Sequence, residues 1–355
     1  MDKIFGEVLD YEQPTKYIVE STLYNDLYET PVLTAGQTFI LGYTSEKENI
    51  YTNLPCIIFD DFTTAIKYVD FPFKVKSSAM KILTIIDNNV ADIKYLYYKM
   101  STTSVDISVH KRYWISNYSQ IRLTLPSLPE QQKIAGTLDK LLQQISRRNR
   151  QLEKISDLIN VKFIEMFGDP VKNPKNWDIE PFYKRFDFFN GKAHEQEVSD
   201  FGQYIIVNAK FIATNGEVKK FSNEQFFPLY RNDIVMVMSD VPNGRAIAKC
   251  YLIEQDNLYT LNQRICAIRG TKYNHVFAFY LLNRHKHFLS FDNGNSQTNL
   301  RKEDILSCPL IIPPRPLQDD FAKFVHEIEK TKTKIQQSLE KLENCYKALM
   351  QEYFG

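Results

Sequence analysis

The chain has no uninterrupted apolar run of 18 residues, and its first residues lack the charged-then-apolar pattern of an export signal. Those two absences predict a soluble, cytoplasmic protein without a membrane segment. Cysteine is sparse: Cys56, Cys250, Cys266, Cys308 and Cys345 are odd in number, scattered, and form no C-x-x-C pair. That argues against a disulfide framework and a structural zinc site, and predicts free, buried thiols. An excess of charge of either sign is missing too, with 44 basic against 43 acidic residues and a net +1. A phosphate backbone is bound by a local patch rather than by a sum. Neutrality therefore predicts that any affinity for DNA is shared with more basic partner chains.

The usual signatures of catalysis are also absent. No G-x-x-x-x-G-K-[ST] loop is present, no glycine-rich turn follows a strand-like run, and neither Asn-Pro-Pro-Tyr nor Asp-Pro-Pro-Tyr occurs. No nucleotide or methyl-donor cofactor is expected on this chain. Serine-hydrolase elbows and H-E-x-x-H are missing as well. One nuclease-like spacing remains, Asp200 followed by Glu217-Val218-Lys219, but acid-x-Lys triplets are common by chance and Lys219 follows a turn at Asn215-Gly216. The histidines 110, 194, 275, 285, 287 and 326 offer no metal-ligand spacing beyond His285-x-His287, which reads as a solvated helix end. A recognition subunit fits these gaps better than an enzyme.

What is present is a duplication. From Glu130 to Phe167 no proline interrupts, after Pro126 and Pro129 and before Gly168-Asp169-Pro170. That is a helix of about 38 residues, roughly 57 Å long, with a proline start and a Gly/Pro stop. The same stretch returns without a gap 187 residues later: Pro126 and Pro129 fall on Pro313 and Pro316, Gln131 on Gln318, Leu152-Glu153-Lys154 on Leu339-Glu340-Lys341, and Phe167-Gly168 on Phe354-Gly355. One duplicated unit predicts globule, rod, globule, rod: residues 1–125, 126–169, 170–310 and 311–355. The fold class is α+β, with two β-rich domains separated by two long helices.

Each rod carries an apolar seam at 3.5-residue spacing. In the first it comprises Ile134, Leu138, Leu141, Ile145, Leu152, Ile155, Ile159 and Met166, with polar breaks at Arg148 and Lys162. The second has Phe321, Val325, Ile328, Ile335, Leu339, Leu342, Tyr346, Leu349 and Tyr353, with a break at Lys332. Breaks at different heptads set register and partner choice. They suit pairing of the rods within one chain; a homodimer through each rod is the competing arrangement.

The globules read as β-rich. In the first, short runs at 16–19, 38–43, 56–59, 65–69 and 73–76 are separated by turn clusters, and a helix is expected over 92–100. In the second, strands are expected at 203–207, 233–238 and 264–268 and a helix over 275–289. Ile57 to Lys67 and Ile234 to Lys249 echo each other as strand, polar loop and Ala-Ile start. The segment His110-Lys111-Arg112-Tyr113-Trp114 is either an edge with its aromatics turned inward or a loop that touches phosphates and bases. Pro242-Asn243-Gly244-Arg245 is either a hairpin turn or a recognition loop whose Asn and Arg read adenine and guanine edges. By chemistry alone the DNA-contact candidates are Lys67, Lys74, Lys76, Lys111, Arg112 and Tyr113 in the first globule. In the second they are Lys219, Lys220, Asn243, Arg245, Gln297, Asn299, Arg301 and Lys302.

Leu128-Pro129-Glu130-Gln131-Gln132-Lys133-Ile134 and its degenerate copy Arg315-Pro316-Leu317-Gln318-Asp319-Asp320-Phe321, each leading into a rod, resemble the specificity subunits of type I restriction–modification systems. So do Thr30 through Gln37 and Phe59 through Ala65. The resemblance spans essentially the whole chain. Leu317 stands where the first copy has Glu130, a drift in a capping position that Asp319 and Asp320 compensate with negative charge at the helix start. The resemblance implies rods paired as an antiparallel coiled coil, and domains that each read half of a bipartite double-stranded DNA target. It also implies two docked methyltransferase subunits carrying S-adenosylmethionine, ATP-driven restriction subunits where cleavage is added, and no cofactor on this chain. Two alternatives stay open: a coiled-coil scaffold with two ligand domains and no DNA role, and a nuclease using Glu217 and Lys219.

Overall fold

The protein, seen in a computed structural model, is described over residues 1–34, 38–103, 113–194, 197–241, 246–292 and 298–355. Two helices of 40 residues each, Leu128–Phe167 and Arg315–Phe354, run through it. The chain divides into two compact units. Unit 1 holds Met1–Asn149 with Gln337–Gly355, and unit 2 holds Arg150–Gln336. Each unit therefore takes half of each long helix along with one β-rich body.

Unit 1 contains β1 (Leu9–Glu12), β2 (Thr30–Leu33), β3 (Ile40–Thr44), β4 (Cys56–Asp60), β5 (Ile66–Val69), β6 (Lys74–Val75), β7 (Met80–Ile85) and helix α1 (Ile93–Thr102). Four strands form an antiparallel sheet in the order β1-β7-β4-β5. Three more form a mixed sheet, β3-β2-β6, in which β2 and β6 are parallel. Strand β4 shows why its sequence, Cys-Ile-Ile-Phe-Asp, is continuously apolar before the final aspartate rather than alternating. Ile57 and Phe59 enter a core shared with α1 and the long helices, whereas Cys56 and Ile58 enter a second core with Leu33, Val75 and Ile82. A strand covered on both faces has no solvent side to make polar.

Unit 2 repeats this plan. Its strands are β8 (Asp187–Asn190), β9 (Tyr204–Val207), β10 (Phe221–Ser222), β11 (Ile234–Val237), β12 (Cys250–Leu252), β13 (Tyr259–Leu261) and β14 (Ile265–Arg269), followed by α2 (His275–Leu282). The sheet orders are β8-β14-β11-β12, all antiparallel, and β10-β9-β13, with β9 and β13 parallel. Strand β11 divides its side chains as β4 does, Ile234 and Met236 to one core, Val235 and Val237 to another. The faint echo between the two sequences is thus a full topological repeat.

The long helices meet start against end. In unit 1, Ile134, Ala135 and Leu138 share a core with Tyr346, Leu349, Met350 and Phe354. In unit 2, Ile159, Phe163 and Phe167 pack with Phe321, Val325 and Ile328. Phe163, Phe167, Phe277 and Phe321 form a ring cluster with centroids 4.6 to 5.7 Å apart. Each such pair adds about 0.5–1.5 kcal/mol beyond the area it buries. Ile134, Leu138, Ile155, Ile159, Phe321 and Val325 are buried, and Leu141, Ile145, Leu152, Ile328, Ile335, Leu339, Leu342 and Leu349 half-buried. Arg148, Lys162 and Lys332 share the stripe and are half-buried too.

The repeated glutamine locks each helix start to its own unit. Buried Gln131 accepts from the Asp92 amide at 3.0 Å and donates to the carbonyls of Val90 and Pro126, both at 3.0 Å. Gln318 accepts from the Asn274 amide at 2.9 Å and donates to the Pro313 carbonyl at 2.8 Å. Asp92 and Asn274 are the N-caps of α1 and α2. One side chain thus ties a long helix to the cap of a short one, twice.

Four local expectations need correction. Residues 16–19 are not a strand: Pro14 starts a 3-10 turn over Pro14–Tyr17, held by the Tyr17 hydroxyl donating to Glu12 at 2.8 Å. The helix expected over 275–289 ends at Leu282 and restarts as Lys286–Leu289. Between them the Asn283 side chain accepts from the Cys250 amide and Arg284 takes a positive φ of 54°. His285 is not at a solvated end but buried at 4% exposure, its Nδ1 accepting from the His287 amide at 3.2 Å and lying 3.6 Å from the Cys308 thiol. Four cysteines are buried as expected, but Cys345 is exposed.

Candidate nucleic-acid interface

The sequence-derived contacts divide sharply once their surroundings are known. In unit 1, Lys67 is exposed on β5, its ammonium 5.9 Å from the Phe39 ring, and Lys76 is exposed just past β6. Lys74, two residues earlier and the first of β6, is only 3% exposed; it pairs with Glu46 at 2.9 Å and donates to the Glu48 carbonyl at 2.9 Å. It is spoken for, and cannot offer its charge to a phosphate without breaking that pair.

Tyr113 is likewise a core residue, 2% exposed, starting a short helix, Tyr113–Ser116. Its amide donates to the Asp61 carbonyl, and the Trp114 amide donates to the Asp61 carboxylate at 3.0 Å. Trp114 packs against Phe59 and Tyr118. The aromatic end of the basic-aromatic segment therefore turns inward. Lys111 and Arg112 lie outside the described residues, as do Asn243, Arg245 and Gln297 in unit 2.

In unit 2, Lys219 and Lys220 are exposed on the loop before β10, beyond the positive-φ Gly216. Asn299 is exposed on a short strand, Thr298–Asn299, that pairs antiparallel with Ser239–Asp240. This pairing joins two segments far apart in sequence. The Asp240 carboxylate anchors its side by accepting from the amides of Ala246 at 2.6 Å and Ile247 at 3.1 Å. Arg301 and Lys302 follow at once, both exposed, Arg301 as the N-cap residue of the helix Lys302–Leu306. Asn299, Arg301 and Lys302 are thus exposed within four residues, two cations and an amide of the kinds suited to phosphates and base edges, with the Lys302 ammonium 5.9 Å from the centroid of Phe188. The loop of Lys219 and Lys220 is a separate element.

Asp200, Glu217 and Lys219 are all exposed. Among the described residues no three His, Cys, Asp or Glu side chains converge on a site that could hold a metal ion, and no helix is long and apolar enough to cross a membrane.

Residues 3–157 and 175–344 match the sequence family described as the type I restriction modification DNA specificity domain. The chain belongs to that family. Among specificity subunits, that of the type I restriction enzyme EcoR124I/EcoR124II of Escherichia coli is 48% identical over 255 residues, which cover 66% of this chain and 62% of that protein. The chain thus aligns with somewhat less than two thirds of that relative's length. The crystal structure of the type I restriction–modification S subunit from M. genitalium superimposes with a TM-score of 0.65 at 15% identity, covering 100% of this chain and 96% of that one. A chain from a study of complex assembly and conformational transition of the type I R-M system gives 0.60 at 12% identity, covering 100% and 97%. At such identities the likeness concerns the fold: two β-rich bodies and two long helices in contact.

Sequence reasoning passed over two groups within this specificity-domain fold. Gln131 and Gln318 were visible as matched positions of the repeat, but their role as clamps needed the N-caps they reach. Lys16, on the 3-10 turn Pro14–Tyr17, and Lys47, Asn49, Thr52 and Asn53, between β3 and β4, carry no repeat or motif, and line a groove of about 640 Å³ with Tyr17, Ile50, Tyr51 and Pro72.

Proposed function

We propose that this chain is the DNA-specificity subunit of a type I restriction–modification complex and performs no chemistry itself. Each unit reads one half of a bipartite, asymmetric target in double-stranded DNA. The long helices set the gap between the halves and dock two DNA-methyltransferase subunits, which supply S-adenosylmethionine. Where cleavage is added, two ATP-dependent restriction subunits supply it, and the complex works in the cytoplasm.

The observation that carries this reading is the family match across both halves of the chain, together with one sheet topology built twice from diverged sequences. A scaffold that repeats while its exposed loops differ is what two readers of different half-sites require. Among the exposed candidates Asn299, Arg301, Lys302, Lys219 and Lys220 serve unit 2, and Lys67 and Lys76 unit 1. Co-expression with a candidate methyltransferase subunit, followed by methylome sequencing, tests it. A bipartite methylated motif is expected, and exchanging residues 170–310 for those of another such subunit should change one half only. No motif, or a change in both halves, overturns the proposal.

A further inference from the structure

The groove in unit 1 is bordered by a knot of hydrogen bonds around Lys74. Lys74, which sequence alone offers as a DNA contact, is the centre of this arrangement. Its ammonium pairs with Glu46 and donates to the Glu48 carbonyl. Glu46 in turn accepts from the amides of Glu20 and Ser21, both at 2.9 Å, and Lys74 with the two amides holds its carboxyl below the usual range against the opposing effect of burial. This knot pins the segment 46–48 to the segment 20–21 and to β6. Asn49 follows directly, with a φ of 51° that asparagine tolerates better than most residues. The far wall is fixed as well, because Tyr51 exchanges backbone hydrogen bonds with Phe73 at 2.8 and 3.3 Å and packs against Tyr17 and Phe73.

What the knot presents is polar and cationic. Lys16, Lys47, Asn49, Thr52 and Asn53 are exposed around the groove. Among the described residues neither Lys16 nor Lys47 pairs with a carboxylate; Lys16 lies 5.5 Å from the centroid of Tyr17. Of the neighbouring acids, Glu46 is held by Lys74 and Glu12 by the Tyr17 hydroxyl, while Glu48, between Lys47 and Asn49, is exposed. The Tyr51 hydroxyl is buried in the lining, beside the Asn53 side chain.

We propose that this groove is a DNA-contact site of unit 1, in which Lys16 and Lys47 bind backbone phosphates while Asn49, Thr52 and Asn53 meet base edges. Lys74 acts as its positioning residue. Free cations bind phosphate, and a side-chain amide on a rigid loop can take adenine's paired donor and acceptor. The inference rests on the DNA-reading function proposed above and adds the site through which unit 1 performs it.

The test uses the full chain assembled with its methyltransferase subunits and a duplex carrying the methylated motif. Each lysine–phosphate contact contributes about 0.9 to the slope of log K against log salt. Lys16→Gln with Lys47→Gln should therefore make the slope shallower by roughly 2 and weaken binding about ten-fold in moderate salt. Asn53→Ala should relax the methylated motif in the half read by unit 1 and leave the other half unchanged. Thermal melting of both variants should match the parent, since the altered side chains are exposed. Parent-like affinity and slope in the lysine variant, or an unchanged motif in Asn53→Ala, overturns the groove while leaving DNA reading intact. Failure of the parent complex to bind duplex DNA would instead overturn the DNA-reading function itself.

Discussion

At the residue scale, His285 shows how burial replaces one role with another. A histidine between Arg284 and Lys286 invites a reading as a solvated side chain. The left-handed turn at Arg284 instead drives it beneath the surface. Burial, with a smaller push from His287, lowers its pKa from an ordinary value near 6.5 to about 4, against the opposing pull of Asp169. The folded value lies below the unfolded one, so the unfolded chain binds the extra proton first as pH falls. Stability is therefore fully present above about pH 6.5 and is lost down to about pH 4, by roughly 3 kcal/mol over the whole span. Asp169, held at about 2 by Lys286, loses its own contribution only below the ordinary carboxylate range, while His194 and His275, both lowered chiefly by burial, add to His285 within the window from 6.5 to 4.5. His285→Asn keeps an acceptor for the His287 amide and removes the titration. Its melting temperature should vary less between pH 6.5 and 4.5 than that of the parent; an equal fall in both would place the proton elsewhere.

At the scale of elements, the most legible features were those set by local pattern. The proline starts and the Gly168 stop bound the first long helix within two residues, and the uninterrupted apolar runs at 56–59 and 234–238 are the central strands. What pattern could not supply was burial caused by distant chain. Lys74 and Tyr113 look like contacts because a Lys and a Tyr in a basic, aromatic stretch are usually accessible. Glu46 lies 28 residues before Lys74 and Asp61 lies 52 residues before Tyr113, and nothing nearby announces either. The matched glutamines fall between these cases: their recurrence was plain, their purpose was not. Gln131→Ala would leave the Asp92 amide and two carbonyls short of partners, at a cost of about 2–4 kcal/mol. Gln318→Ala, which frees one amide and one carbonyl, should cost less. Urea denaturation of both variants checks this, and equal costs near zero would mean that water replaces the clamps.

At the scale of the whole molecule, duplication explains both the economy and the freedom of the chain. Two units with one topology can diverge at their loops without disturbing the helices that join them. On the function proposed above, the same arrangement would make the target adjustable in two independent ways, by exchanging a unit or by altering a helix. The second is the sharper test of the proposal that the helices set the gap between half-sites. Four residues inserted after Gln151 add just over one helical turn, about 6 Å of axis. Methylome sequencing of cells carrying the altered chain with its methyltransferase should show both half-sites unchanged and the number of unspecified bases between them altered. An unchanged spacing in an active complex would contradict the account.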